Sequence, residues 1–171
     1  YVFLTQYPVR YQNLANHGVL PQKNNFWYGS TATILSDSVW ANEKYNTFVA
    51  IEPLLGPFEG DATKTFRKLK WAVIGAETGQ NAEKVIPKAG WIQDILTSAD
   101  AAGTPVFMRS NMESIVGAEN MRREKPAAFL QKIPTVEQKK RLWEHCTVCG
   151  KYRPMKEMYA LLLRRKRGDN P

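Results

Sequence analysis

The sequence predicts an α/β protein: parallel βα units of a partial TIM-type barrel, with a small helical C-terminal extension. Three observations predict it. Five short runs, at 2–6, 26–31, 47–52, 71–75 and 104–109, are rich in β-branched and aromatic residues and are separated by helical or turn material. Taken at Thr5, Ser30, Glu52, Glu77 and Arg109, their ends lie 25, 22, 25 and 32 residues apart, near the roughly 30 residues per unit of an eight-unit barrel. Two of the runs, TFVAIEPLLG and KWAVIGAETG, end in a carboxylate, Glu52 or Glu77, beside turn-forming residues. The C-terminal strand ends are where parallel sheets and barrels carry their chemistry.

The first run, VFLTQ, reads as the inside of a buried strand and lacks the basic start and long apolar core of a secretory leader. With Tyr1 in first place, the expectation is a chain whose beginning is missing. Residues 8–16 follow as a short helix ending at ANHG, where His17 caps the helix or meets solvent. A second helix is expected over 36–45, with Val39 and Trp40 turned inward, and the weaker pattern at 61–69 reads as a helix or an excursion. The best connecting helix is PKAGWIQDILTSADAAG, which sets Trp91, Ile92, Ile95, Leu96 and Ala99 at helical spacing and stops at Gly103. Pro105 then opens the last strand, where its missing donor is tolerated. Five consecutive units of this kind imply a parallel sheet with right-handed crossovers. Half a barrel would leave two open sheet edges, so the chain should need its missing half or a second chain.

Composition narrows the class. The 171 residues are 43% hydrophobic and contain no apolar run of membrane-spanning length. Two cysteines three positions apart cannot staple a distant framework, and a cytoplasmic location is the default. The net charge of +8 permits a nucleic-acid partner through the basic tail Arg164, Arg165, Lys166 and Arg167, which reads equally as a solvated helix end. Trp27, Tyr28, Trp40 and Trp71 read as core or rim aromatics, or as a base-stacking platform.

Walker, GxGxxG and HExxH patterns are absent, and two histidines leave few candidates for a triad. No catalytic residue is therefore assigned. In the extension, 115–171, TVEQKKRLWEHC and RPMKEMYALLLRRKR read as helices around HCTVCGKYRP. There Cys146 and Cys149 form a zinc half-site, to be completed by the missing segment or a second chain, or remain two free thiols. His145 is a surface helix residue unless those cysteines hold a metal.

The segments LTQYPVRY, WYGSTA, AIEPLLGP, AVIGAETG and AGWIQDILTSADAAGTPVFMRS, in this order, resemble a phage-associated, largely uncharacterised family of radical-SAM-like barrel proteins. Family members show LTKRPERM-like, GVS-like, SFEPLLGP, VIVGGESG and AGVPFFFKQ segments. The resemblance covers about residues 1–111 and makes residues 1–114 the C-terminal half of a barrel. It implies S-adenosylmethionine and a 4Fe-4S cluster for the full-length family, with three cluster cysteines in the half absent here. By itself this chain would not be an enzyme. Cys146 and Cys149 follow the last strand and are one ligand short, so they are not cluster ligands.

Carried across, Thr5 matches the LT pair, Gln6 replaces a lysine, and Thr31 stands where a serine is usual, with Ser30 an extra hydroxyl beside it. Glu52 and Glu77 keep the two family glutamates, and Arg109 replaces a lysine with its charge retained. These seven residues are the candidate cofactor- or substrate-binding set. Neighbouring strands about 4.8 Å apart bring Glu52 and Glu77 within coupling distance if both point inward. The pair then acts in acid–base chemistry, grips the hydroxyls or amino group of a ligand, or forms an ion pair with Arg109. Gly75 and Gly79 let the backbone turn around Glu77 and approach a ligand, or simply turn. The competing reading is a nucleic-acid-binding or phage interaction protein on a barrel-derived fold without redox chemistry.

Overall fold

The computed structural model describes residues 1–34, 38–57 and 62–129, together with the backbone of 144–145 and 152–153. The basic tail at 164–167, Cys146, Cys149 and most of the two helices expected in the extension lie outside the described residues.

Five parallel strands form one sheet: β1 (Val2–Thr5), β2 (Trp27–Ala32), β3 (Asn46–Ile51), β4 (Trp71–Ile74) and β5 (Val106–Met108). They lie side by side in chain order, so each crossover moves the chain one strand further in the same direction. All five sit where the β-type runs placed them. Between them run α1 (Val9–Asn16), α2 (Thr63–Phe66) and α3 (Ala89–Ala102). The last of these stops where expected, at Gly103 in the left-handed conformation (φ 68°), which a residue without Cβ adopts at no steric cost. His17 caps α1, its Nδ1 donating to the Asn13 carbonyl at 2.7 Å.

Residues 38–45 contain no helix, contrary to the expectation for 36–45. Tyr45 N–H donates to the Asn42 carbonyl at 3.2 Å, but the donors of Trp40, Asn42 and Lys44 bond to side chains instead of to carbonyls one turn back. Trp40 N–H donates to Ser30 Oγ at 3.0 Å, Asn42 N–H to Thr47 Oγ1 at 3.3 Å and Lys44 N–H to Asn42 Oδ1 at 3.0 Å. Such local acceptors compete with helix formation. Val39 and Trp40 nevertheless pack inward as expected. At 61–69 the helix is α2, a single turn.

Strand alternation sorts the sheet into two unlike faces. On one, Val49, Ile51, Ala72, Ile74, Val106 and Met108 pack against Phe66 of α2 and against Ile92, Ile95 and Ala99 of α3. Tyr28 continues this face toward Tyr11 of α1 and Trp40. Burial pushes the Tyr11 and Tyr28 hydroxyls up from the usual phenol range, and the Tyr28 hydroxyl donates to the Pro21 carbonyl at 2.7 Å. The other face carries Trp27, Phe48 and Ala50, with Trp71 and Phe129 against them. Trp27, Tyr28 and Trp40 are thus core residues, and Trp71 is half-buried.

The two edges also differ. Outside β5, residues 122–124 run antiparallel: Met108 N–H donates to the Arg122 carbonyl at 2.8 Å, and Glu124 N–H to the Val106 carbonyl at 3.0 Å. The Glu124 side chain accepts from Val106 N–H at 2.8 Å and from Arg122 Nε at 2.8 Å. Of the two open edges expected, this one is therefore covered. Among the described residues nothing pairs with the outer edge of β1.

Residues 1–130 make one compact unit and 131–171 a second. In the second, Glu144–His145 pairs antiparallel with Tyr152–Arg153. This corrects the helices expected through Glu144, His145 and Arg153. Only six residues join the two strands, too few for a parallel crossover, so they pair as a hairpin. No helix among the described residues is long and apolar enough to cross a membrane.

Candidate functional site

The C-terminal ends of β3, β4 and β5 open into a cavity of about 440 Å³ lined by Glu52, Pro53, Gly75, Glu77, Thr78 and Arg109, with Ser110 and Asn111 beside them. Glu52 directly follows β3, and its N–H donates to the Ala32 carbonyl of β2 at 3.2 Å. A cis peptide bond joins it to Pro53. Arg109 directly follows β5, its N–H held by the Ile74 carbonyl of β4 at 2.8 Å. Both side chains stand on the face without helices, in the alternation that includes Ala50, Val73 and Phe107.

Glu52 and Arg109 meet across the intervening strand. Their strands are two spacings, about 9–10 Å, apart, and only long side chains crossing above β4 close that gap. Arg109 Nε donates to Glu52 Oε1, and Nη2 to Oε2 at 3.0 Å, a bidentate pair that leaves Nη1 outside it. The crossing point is Gly75. A Cβ there would lie 3.0 Å from Glu52 Cγ, 3.1 Å from its Oε1 and 3.2 Å from Arg109 Cγ. Gly75 thus serves a close approach of two side chains of the protein itself, where the sequence led to the expectation of an approach to a ligand or a plain turn. Hydrogen bonding with Glu52, and then its charge, raises the Arg109 pKa above its already high ordinary value. Arg109 remains 59% exposed, so the pair adds only about 0–1 kcal/mol to stability.

Gly75→Val is expected to break this pair while leaving the fold in place. The Arg109 Nε–H resonance is expected in the side-chain NMR spectrum of the parent protein, where Glu52 accepts from it, and should weaken or disappear in the variant at neutral pH. Its persistence would show that the pair does not need a bare Cα beneath it.

Glu77 stands on the next loop, half-buried, with Oε1 accepting from Thr78 N–H at 2.9 Å. It and Glu52 line the same cavity, and Glu52 is already neutralised by Arg109. The loop is anchored by Asn111, whose amide donates to the Ala76 carbonyl at 2.7 Å and accepts from Ala76 N–H at 3.3 Å. Sequence reading overlooked both Asn111 and Ser110. The signal was the polar triplet Arg109-Ser110-Asn111 directly behind a strand, of which only the cation was singled out.

The remaining candidates lie apart from this cavity. Thr5 Oγ1 accepts from Tyr7 N–H at 3.0 Å and shapes the turn after β1, where Gln6 is exposed. Ser30 is fully buried beneath Trp40 on the helix-covered face. Thr31, one residue on, points to the opposite face in register with Ala50. The structure therefore gathers Glu52, Glu77 and Arg109 and leaves Thr5, Gln6, Ser30 and Thr31 outside the gathering. Among the described residues no His, Cys, Asp and Glu cluster could hold a metal ion.

A family model described as "Protein of unknown function (DUF5131)" matches residues 1–133. The chain belongs to this family. The match spans the whole five-stranded sheet and the rim cavity, so both are features of the DUF5131 part of the chain. No curated protein matches the chain, and no solved structure does.

Proposed function

We propose that the Glu52–Glu77–Arg109 rim binds a small polar ligand, and that the DUF5131 sheet is part of a β/α barrel of the radical-SAM-like kind. The rim cavity carries the reading. It lies at the C-terminal strand ends of a parallel sheet, the edge where such folds bind their ligands, and about 440 Å³ is within the usual range for ligand sites. Strands added one by one in a single direction, with helices on one face, are the geometry of a closing barrel.

The donor set suits a ligand bearing both an amino and a carboxylate group. Glu77 offers a carboxylate oxygen for the amine. Arg109 Nη1 and the Ser110 and Thr78 hydroxyls offer donors to the carboxylate. S-adenosylmethionine carries such groups, and when bound it supplies radical or group-transfer chemistry. Glu52 is the positioning residue, holding the guanidinium over Gly75. A 4Fe-4S cluster is not fitted by this chain, because its only two cysteines stand three positions apart and are one ligand short of the three thiolates such a cluster needs.

Calorimetric titration of the chain with S-adenosylmethionine tests the reading. Glu77→Gln and Arg109→Gln each remove one charged hydrogen bond, worth about 1.5–3 kcal/mol, so each should weaken binding by about 10- to 100-fold. Equal affinities in parent and variants, or no binding at all, would remove S-adenosylmethionine as the ligand of this rim.

A further inference from the structure

Below the rim, the helix-free face of the sheet forms a second cavity of about 550 Å³, lined by Leu4, Ala50, Trp71, Val73, Phe107 and Phe129 among others. The Glu52–Arg109 pair closes its upper end and is shared with the rim cavity. The lower end is different in charge. Lys125 lines this end, with Nζ 5.6 Å from the centre of the Phe107 ring, whereas the Arg123 guanidinium, 5.4 Å from the same ring, is held at the edge of β5 by donating through Nη1 to the Met108 carbonyl at 2.7 Å. Neither cation pairs with a carboxylate among the described residues. The nearby Glu124 is occupied by Arg122 and by Val106 N–H. The groove therefore has apolar walls, a neutral upper end and a lower end with one cation, Lys125.

We propose that this groove binds a small apolar anion, an aryl or alkyl carboxylate or sulfonate, with its body against Trp71 and Val73 and its charge beside Lys125. Burying the body against aromatic and aliphatic walls drives binding. A charge-assisted contact at the cationic end fixes direction and selects against neutral molecules. From Arg109 down to Val106 the sheet spans about 10 Å at the usual rise per residue, which accommodates two fused rings or a medium-length alkyl chain. The groove shares only the Glu52–Arg109 pair with the rim, and its occupant does not depend on which ligand the rim takes.

Two fluorescent probes of similar shape decide the matter: anilinonaphthalene sulfonate, an anion, and N-phenylnaphthylamine, which is uncharged. Titrations use the full chain, with light scattering to record its oligomeric state. The expected result is one sulfonate site per chain, with affinity about tenfold above that of the amine and falling in high salt. Lys125→Glu, at an exposed position, should abolish that preference and leave amine binding unchanged. Equal affinities for the two probes, insensitivity to Lys125→Glu, several sulfonates per chain, or a dimer that excludes both probes would each overturn the proposal. In the last case a second copy, not a small molecule, covers the face.

Discussion

Phe66→Ala is expected to lower the unfolding free energy by about 3–5 kcal/mol, the range for deleting a buried aromatic ring. Phe66 is 1% exposed and sits on a single helical turn, where it fills the space between α3 and the covered face of the sheet. The backbone around it has little freedom to collapse into the void, because the Phe66 carbonyl accepts the buried Thr104 hydroxyl at 2.8 Å. That bond ties the turn to the entrance of β5. Urea unfolding followed by tryptophan fluorescence measures the loss. With a total stability of about 5–15 kcal/mol typical of such a unit, the variant would be close to unfolding at 37 °C. A loss under 1 kcal/mol would mean that α2 is not part of the cooperative core.

Gly29→Ala has the second-largest expected effect, through crowding instead of loss. Gly29 and Phe48 are register partners on β2 and β3, and the ring lies across the glycine. A Cβ at position 29 would fall 2.6 Å from Phe48 Cε2 and closer still to Cζ. Moving the ring disturbs its packing with Trp27, Ala50 and Trp71. Overpacking of this kind costs about 1–3 kcal/mol. The diagnostic is a double-mutant cycle: Phe48→Leu should cost stability alone yet remove most of the penalty of Gly29→Ala. Additive losses would show that the penalty arises from the strand backbone and not from the ring.

The strands were legible because each is a short β-rich run bounded by turn residues, and α3 because it combines an apolar stripe with a glycine stop. The segment at 38–45 was not. Its inward-facing Val39 and Trp40 suit a helix, and only the folded chain reveals that Ser30 and Thr47, on the two strands that flank the segment, accept from its backbone. At the rim, Glu52, Glu77 and Arg109 announced themselves as ionisable residues behind apolar runs. Which of them would pair was undetermined. Adjacent strands favoured Glu52 with Glu77, yet the bare Cα of Gly75 opens a path from Glu52 to Arg109 one strand further on. Ser30 and Thr31 show the limit of strand parity: one register step sends the first into the core and the second toward the open face.

The covering of β5 by residues 122–124 and the bare margin of β1 have a consequence for association. A sheet with two available margins can recruit copies at both and propagate into a fibre. Here one margin is already occupied by the chain itself, leaving a single site for strand addition among the described residues. Addition of a further strand at the β5 margin is thereby blocked by the chain's own residues 122–124, whose backbone has taken the Met108 N–H and the Val106 carbonyl.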